Sequence, residues 1–85
     1  MNPLTREHVD QVRKIIHEVL AGRASDIFMS RIDVILGEWE AGTLTAAQSC
    51  EKVRKAVSLF ISEDLARDIG NRCAPIVMKE SAAKK

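Results

Sequence analysis

Eighty-five residues make one domain, and a domain this small buries only roughly 60–65% of the surface its unfolded chain exposes, so an oligomer would add useful burial. A hydrophobic fraction of 46% excludes a disordered chain, and no apolar run approaches the ~18 residues of a membrane span. Thirteen basic against twelve acidic side chains leave a net charge of +1, which gives no global field to draw in nucleic acid or anionic lipid. Two prolines and four glycines leave little room for a sheet with tight turns. The opening residues lack the basic start, apolar core and cleavage site of a signal peptide. Cytoplasmic residence is therefore the expectation, with Cys50 and Cys73 as thiols.

The first helix is expected over residues 5–21. Thr5 can cap its first amides, with Leu4 and Val9 at the two positions of a hydrophobic staple. The alternative start has Asn2 as the cap and Pro3 as the first helical residue. Val9, Val12, Ile16, Val19 and Leu20, widened by Ile15, form one apolar stripe at about 100° per residue. Asp10, Arg13, Lys14 and Glu18 occupy the remaining surface, and Gly22 is a natural left-handed terminator.

Ala24-Ser25 is a link short enough to force antiparallel neighbours, and Ser25 caps a second helix over 25–41 that stops at Gly42. Phe28, Ile32, Ile35 and Trp39 fall on one narrow stripe. Met29 and Leu36 flank it on one side, Ile27 and Val34 lie beyond its other edge, and Gly37 is a tolerated glycine on the polar arc. A helix apolar over most of its circumference needs neighbours on more than one side. The fourth helix is expected to cover one flanking pair and to leave the other for a partner.

Thr45 and Gln48 have the spacing of a capping box and open a third helix over 45–61. Ala46, Cys50, Val53, Val57, Phe60 and Ile61 share one face, and Arg54 sits at its border, able to lay its stem across the apolar surface. Leu59 falls among polar residues, an exposed leucine or a contact. Ser62, Glu63 and Asp64 read as a new start rather than a continuation. The fourth segment, 62–73, carries Leu65, Ile69, Cys73 and Ile76 on one face with Ala66 and Val77 beside them. Gly70, Asn71 and Pro75 weaken it, so it is expected to end or kink near Cys73, with a short fifth helical turn after Pro75. Residues 1–80 form the single helical domain and 81–85 a frayed tail.

Chemistry-bearing residues are sparse. His8 and His17 are nine apart on one helix and point to nearly opposite sides, His8 at the edge of the apolar stripe and His17 toward solvent, so one metal ion cannot take both. Cys50 and Cys73 belong to no CxxC or CxxxH pair and read as small core hydrophobes, and whether they meet in space is open. Nearly every carboxylate lies on a solvent face or at a helix start. Glu38, near Arg31, is the exception and reads as a border charge. The chain has no glycine-rich phosphate loop, no Asp-Ser-Leu carrier site and no EF-hand loop.

These features predict an all-α fold, a compact four-helix bundle of short antiparallel helices, with no catalytic residue, cofactor or metal. The expected function is non-catalytic: protein contact, either with itself as a homodimer or with a larger protein, through an apolar patch of Met29 and Leu36 extended by Leu59 and Val77. The alternative is a small nucleic-acid-binding regulator that contacts phosphates through Arg6, Arg13 and Lys14 on the first helix, or Lys52 and Lys55 on the third.

Overall fold

The computed structural model describes residues 3–83 and is all-helical over them apart from three connections: α1 (Pro3–Leu20), α2 (Asp26–Glu40), α3 (Ala46–Phe60) and α4 (Glu63–Ala83). Each helix packs on its neighbour in sequence, and α4 closes the ring by packing on α1. The diagonal pairs, α1 with α3 and α2 with α4, are not in contact, so they stand at opposite corners of a four-helix bundle. At 1.5 Å per residue the 21-residue α4 is about 32 Å long. It therefore runs nearly the full 35 Å of the long axis.

Short-range chemistry sets most helix ends. Ser25 Oγ accepts the Phe28 amide at 3.1 Å and starts α2. At the other end the Thr43 amide reaches Glu38 O, and the Gly42 amide reaches Trp39 O, a Schellman pair that requires the left-handed φ of 87° at Gly42. Thr45 and Gln48 form the reciprocal capping box of α3. The expected break between the third and fourth helices is present: Ile61 leaves helical geometry and α4 begins at Glu63.

Two ends differ from expectation. The start of α1 takes the alternative form, with Pro3 as the first helical residue; the expected cap Asn2 lies outside the described residues. Thr5 is buried inside the helix and its hydroxyl is used elsewhere, while Leu4, the supposed staple residue, is exposed. At the other end, the residues after Pro75 are helical but continuous with α4 rather than a separate turn. Pro75 removes one ladder hydrogen bond and costs about 3 kcal/mol in a helix interior. Its ring and Asn71, whose carbonyl loses that bond, both lie on the solvent side, and the chain beyond is held by buried Ile76 and Glu80. α4 thus takes in Ser81–Ala83 of the expected tail, and Lys84 and Lys85 lie outside the described residues.

The core is built from seams whose members recur every three or four residues, the spacing that keeps one face turned inward. α1 contributes Val9, Val12, Ile16 and Leu20; α3 contributes Ala46, Ser49, Val53 and Val57; α4 contributes Ala66, Ile69, Cys73, Ile76 and Glu80. In α2 the seam is Ile32, Leu36 and Trp39 with half-buried Met29, not the stripe expected from Phe28 and Ile35, which are only half-buried. Leu36 is 0% exposed and belongs to the core, so it is removed from the expected interaction patch. The reason is the ring: α1 and α3 flank α2 from adjacent sides, and α4, on the diagonal, covers neither of its flanking pairs. Met29 and Leu36 turn inward, while Ile27 and Val34 stay exposed. Gly37 meets no neighbour; a Cβ there would find open space.

Candidate functional site

Where α1 hands over to α2 and α3 hands over to α4, the bundle end carries an open groove of about 370 Å³. Ser25 starts α2 so that Ile27 and Phe28 fall in its first turn, on the groove wall. Ile61 ends α3 and leaves Phe60 on its last turn. Phe28 and Phe60 meet edge to face, centroids 6.2 Å apart and planes at 62°. Such a pair contributes about 0.5–1.5 kcal/mol beyond its burial. Phe60 is nonetheless 70% exposed and Ile27 77% exposed, and the neighbouring Leu59 is 79% exposed. Contiguous exposed apolar surface on a small domain marks a contact site more often than a scattered leucine does.

The charged members of this groove are Arg23 and Arg31, both basic. Neither is ion-paired among the described residues, and Glu38, half-buried at the border of α2, makes no ion pair with Arg31. An open groove lined by apolar side chains and two guanidinium groups can take apolar side chains from another molecule while the arginines meet its carboxylates.

The expected patch is not one surface. Met29 is half-buried against the core, Leu36 is wholly inside, and Val77 lines a different groove, between α3 and α4. Leu59 alone stands fully exposed, beside Phe60. Phe60 itself, read from periodicity as core, is a surface residue. The groove residues Ile27, Phe28, Phe60, Arg23 and Arg31 were not singled out as a group. The sequence signal for them is a pair of helix junctions, Ser25 with Ile27 and Phe28 two and three residues after it, and Ser62 with Phe60 and Ile61 just before it.

The basic residues considered for nucleic acid are divided. On α1, Arg6 pairs with Glu40 at 3.4 Å, and Arg13 pairs with Asp10 at 3.1 Å and Asp33 at 3.4 Å, which fastens α1 to α2. Lys14 is exposed, and Lys52 and Lys55 share an open groove on α3 with Glu51 and Gln48. Since α1 and α3 are diagonal, these two sets face different sides of the bundle.

His8 is not a boundary side chain. It is buried, as are Thr5 and Glu80, and the three form a network between α1 and the last turns of α4. Thr5 Oγ1 donates to Glu80 Oε2 at 2.7 Å, and His8 Nδ1 lies 2.8 Å from Glu80 Oε1. This buried arrangement ties the end of α4 to the start of α1. His17 stays on the surface, 3.9 Å from Asp33. Among the described residues no group of three or more His, Cys, Asp or Glu side chains is placed to hold a metal ion, and no helix is long and apolar enough to cross a membrane. Compared with known proteins, the chain matches no family profile, no curated protein and no solved structure.

Proposed function

We propose that this protein is a non-catalytic, cytoplasmic helical module that binds a partner protein through the groove of Ile27, Phe28 and Phe60. The partner segment is an amphipathic helix with apolar side chains for the groove and carboxylates for Arg23 and Arg31. The observation that carries this reading is the edge-to-face pair of half-buried Phe28 and exposed Phe60 in a groove also lined by two arginines without an ion pair among the described residues. Charge favours a different protein over a second copy: a two-fold contact centred on this groove would set both arginines against their own counterparts.

A synthetic helical peptide with leucines on one face and flanking glutamates tests it, titrated against the protein with amide shifts as the readout. The expected result is binding that shifts Ile27, Phe28 and Phe60, fails for a lysine-flanked control, and weakens about 30-fold or more in Phe60→Ser, as for an interface hot spot of about 2 kcal/mol. Arg31→Glu should weaken it as well. Absence of any shift in the groove with either peptide overturns the reading.

A second reading, self-association, has one observation in its favour: Ile27 and Val34, two turns apart, make an exposed apolar line along α2. Sedimentation as a dimer that dissociates in Val34→Lys would assign that face to a second copy. Leu36→Lys is no test of either reading, because it places a charge in the core. Nucleic-acid binding has less support, since Arg6 and Arg13 already serve acids of α1 and α2.

A further inference from the structure

The sequence places Cys50 and Cys73 on the apolar faces of α3 and α4 and leaves open whether they meet in space. In the folded chain Arg54, one turn beyond Cys50, lies against Gly70, about one turn before Cys73, which brings the two thiols to the same level of the α3–α4 interface as neighbours. Their surroundings differ. Cys73 has no exposed surface, whereas Cys50 is half-buried and lines an open groove of about 230 Å³ with Arg54 on its own helix and Gly70, Ala74 and Val77 on the other. Those three α4 residues sit three before, one after and four after Cys73, so the groove runs beside the buried thiol, which does not itself line it.

We propose that Cys50 and Cys73 form a dithiol modification site, at which a low-molecular-weight disulfide of the glutathione class oxidises the pair to a bond between α3 and α4. Cys50 is the attacking group because it alone reaches the groove. The Cys73 thiol donates to its sulfur, and the Arg54 guanidinium adds to that stabilisation against partial burial and the opposing Glu51 charge; together they bring Cys50 from 9.0 to about 7. Gly70 is part of the arrangement. A Cβ at that position would lie 2.8 Å from Arg54 Nε and 2.9 Å from its Cδ, so glycine is what lets the arginine lie across α4 beside the thiols.

The chemistry balances in two exchanges. The Cys50 thiolate attacks one sulfur of the small disulfide; the bond between its two sulfurs breaks, and the departing thiolate takes a proton from water. The Cys73 thiol then gives its proton to water and attacks Cys50 Sγ, expelling the second small thiolate, which is protonated in turn. Two protein thiols are oxidised and one small disulfide is reduced to two thiols. The order is self-enforcing. Cys73 is held protonated first by its hydrogen bond to Cys50, then by burial and by the Cys50 charge. Capping Cys50 as a mixed disulfide removes the third of these and weakens the first, so Cys73 ionises more readily than in the reduced pair, against burial alone.

The experiment treats the reduced, folded chain with glutathione disulfide near neutral pH and follows intact mass, with alkylation to count remaining thiols. The expected wild-type product is lighter by two hydrogens, carries no glutathione and loses both thiols together. Cys73→Ser should stop at a glutathione adduct on Cys50, and Cys50→Ser should remain unmodified while circular dichroism shows it folded. A wild-type end product that keeps glutathione, an intermolecular dimer, or thiols that stay inert until the chain is denatured would each overturn the proposal. The wild-type mass alone decides it if either variant fails to fold.

Discussion

Replacing Glu80 with alanine removes the carboxylate that joins the end of α4 to the start of α1. The bonds from Thr5 and His8 to this carboxylate contribute about 3–6 kcal/mol between them. Recovering the hydration of a carboxylate that is 1% exposed lowers this, while leaving His8 and Thr5 buried without it raises it again. The expected loss is about 3–5 kcal/mol, the range for breaking a buried pair from one side. A domain of this length has roughly 4–13 kcal/mol in all, so the alanine variant should be marginal. Glu80→Gln separates charge from hydrogen bonding. Its amide oxygen can accept from Thr5 and its amide nitrogen can donate to His8 Nδ1 when the ring proton sits on Nε2, so it should cost only about 1 kcal/mol. Urea unfolding followed by far-UV circular dichroism measures both variants, and a double-mutant cycle with His8→Ala isolates the coupling. An alanine variant within about 1 kcal/mol of wild type at unchanged m-value, or a cycle that closes additively, would refute the idea that this network holds the helices together.

Three further outcomes follow from the packing and the thiols. Leu36→Ala should lose about 2–5 kcal/mol by leaving a core cavity, whereas Phe60→Ser, at an exposed position, should stay within about 1.5 kcal/mol of wild type; the same urea titrations check both. Gly37→Ala should raise stability by about 0.5–1 kcal/mol, because the new methyl meets nothing and the helix gains propensity. Alkylation of Cys50 should be slow below and fast above a midpoint near pH 7, since the thiolate is the nucleophile and its formation is eased to about 7, and Arg54→Gln should move that midpoint upward. A rate that keeps rising through pH 9 without levelling would contradict the arrangement around Cys50.

The parts of this fold that were legible in the sequence are those settled within a few residues. Ser25, Gly42 and the Thr45–Gln48 box each act on amides or carbonyls less than two turns away, and each appears where its spacing places it. The inward face of α1 was legible too, because it has one apolar side, and that of α3 only in part: Ala46, Val53 and Val57 turn inward, but Ser49 joins them and Phe60 does not. α2 was not, since a helix apolar around most of its circumference has several nearly equivalent orientations and only its neighbours choose between them. That choice buried Leu36 and left Ile27 outside. Glu80 was missed because the local effect of Pro75 was given more weight than the seam running through it. Steps of three and four from Ala66 through Ile69, Cys73 and Ile76 arrive at Glu80, and the same spacing carried back from Val12 arrives at His8 and Thr5. The Cys50–Cys73 pair was half legible: each face could be read, but the relative slide of two helices cannot be taken from either one alone.

The α1–α4 contact has a kinetic consequence. The other packed pairs join helices adjacent in the chain, but the bonds from Glu80 to Thr5 and His8 span 75 and 72 positions. Closing so long a loop is the costliest step in chain entropy, and it is rewarded only when α4 is nearly complete. The order expected from these separations is helix on adjacent helix, with ring closure last. Interactions absent from the transition state act on the rate of opening rather than the rate of formation. The Glu80 network thus governs how long the closed bundle lasts once made, and has little influence on how quickly it is made.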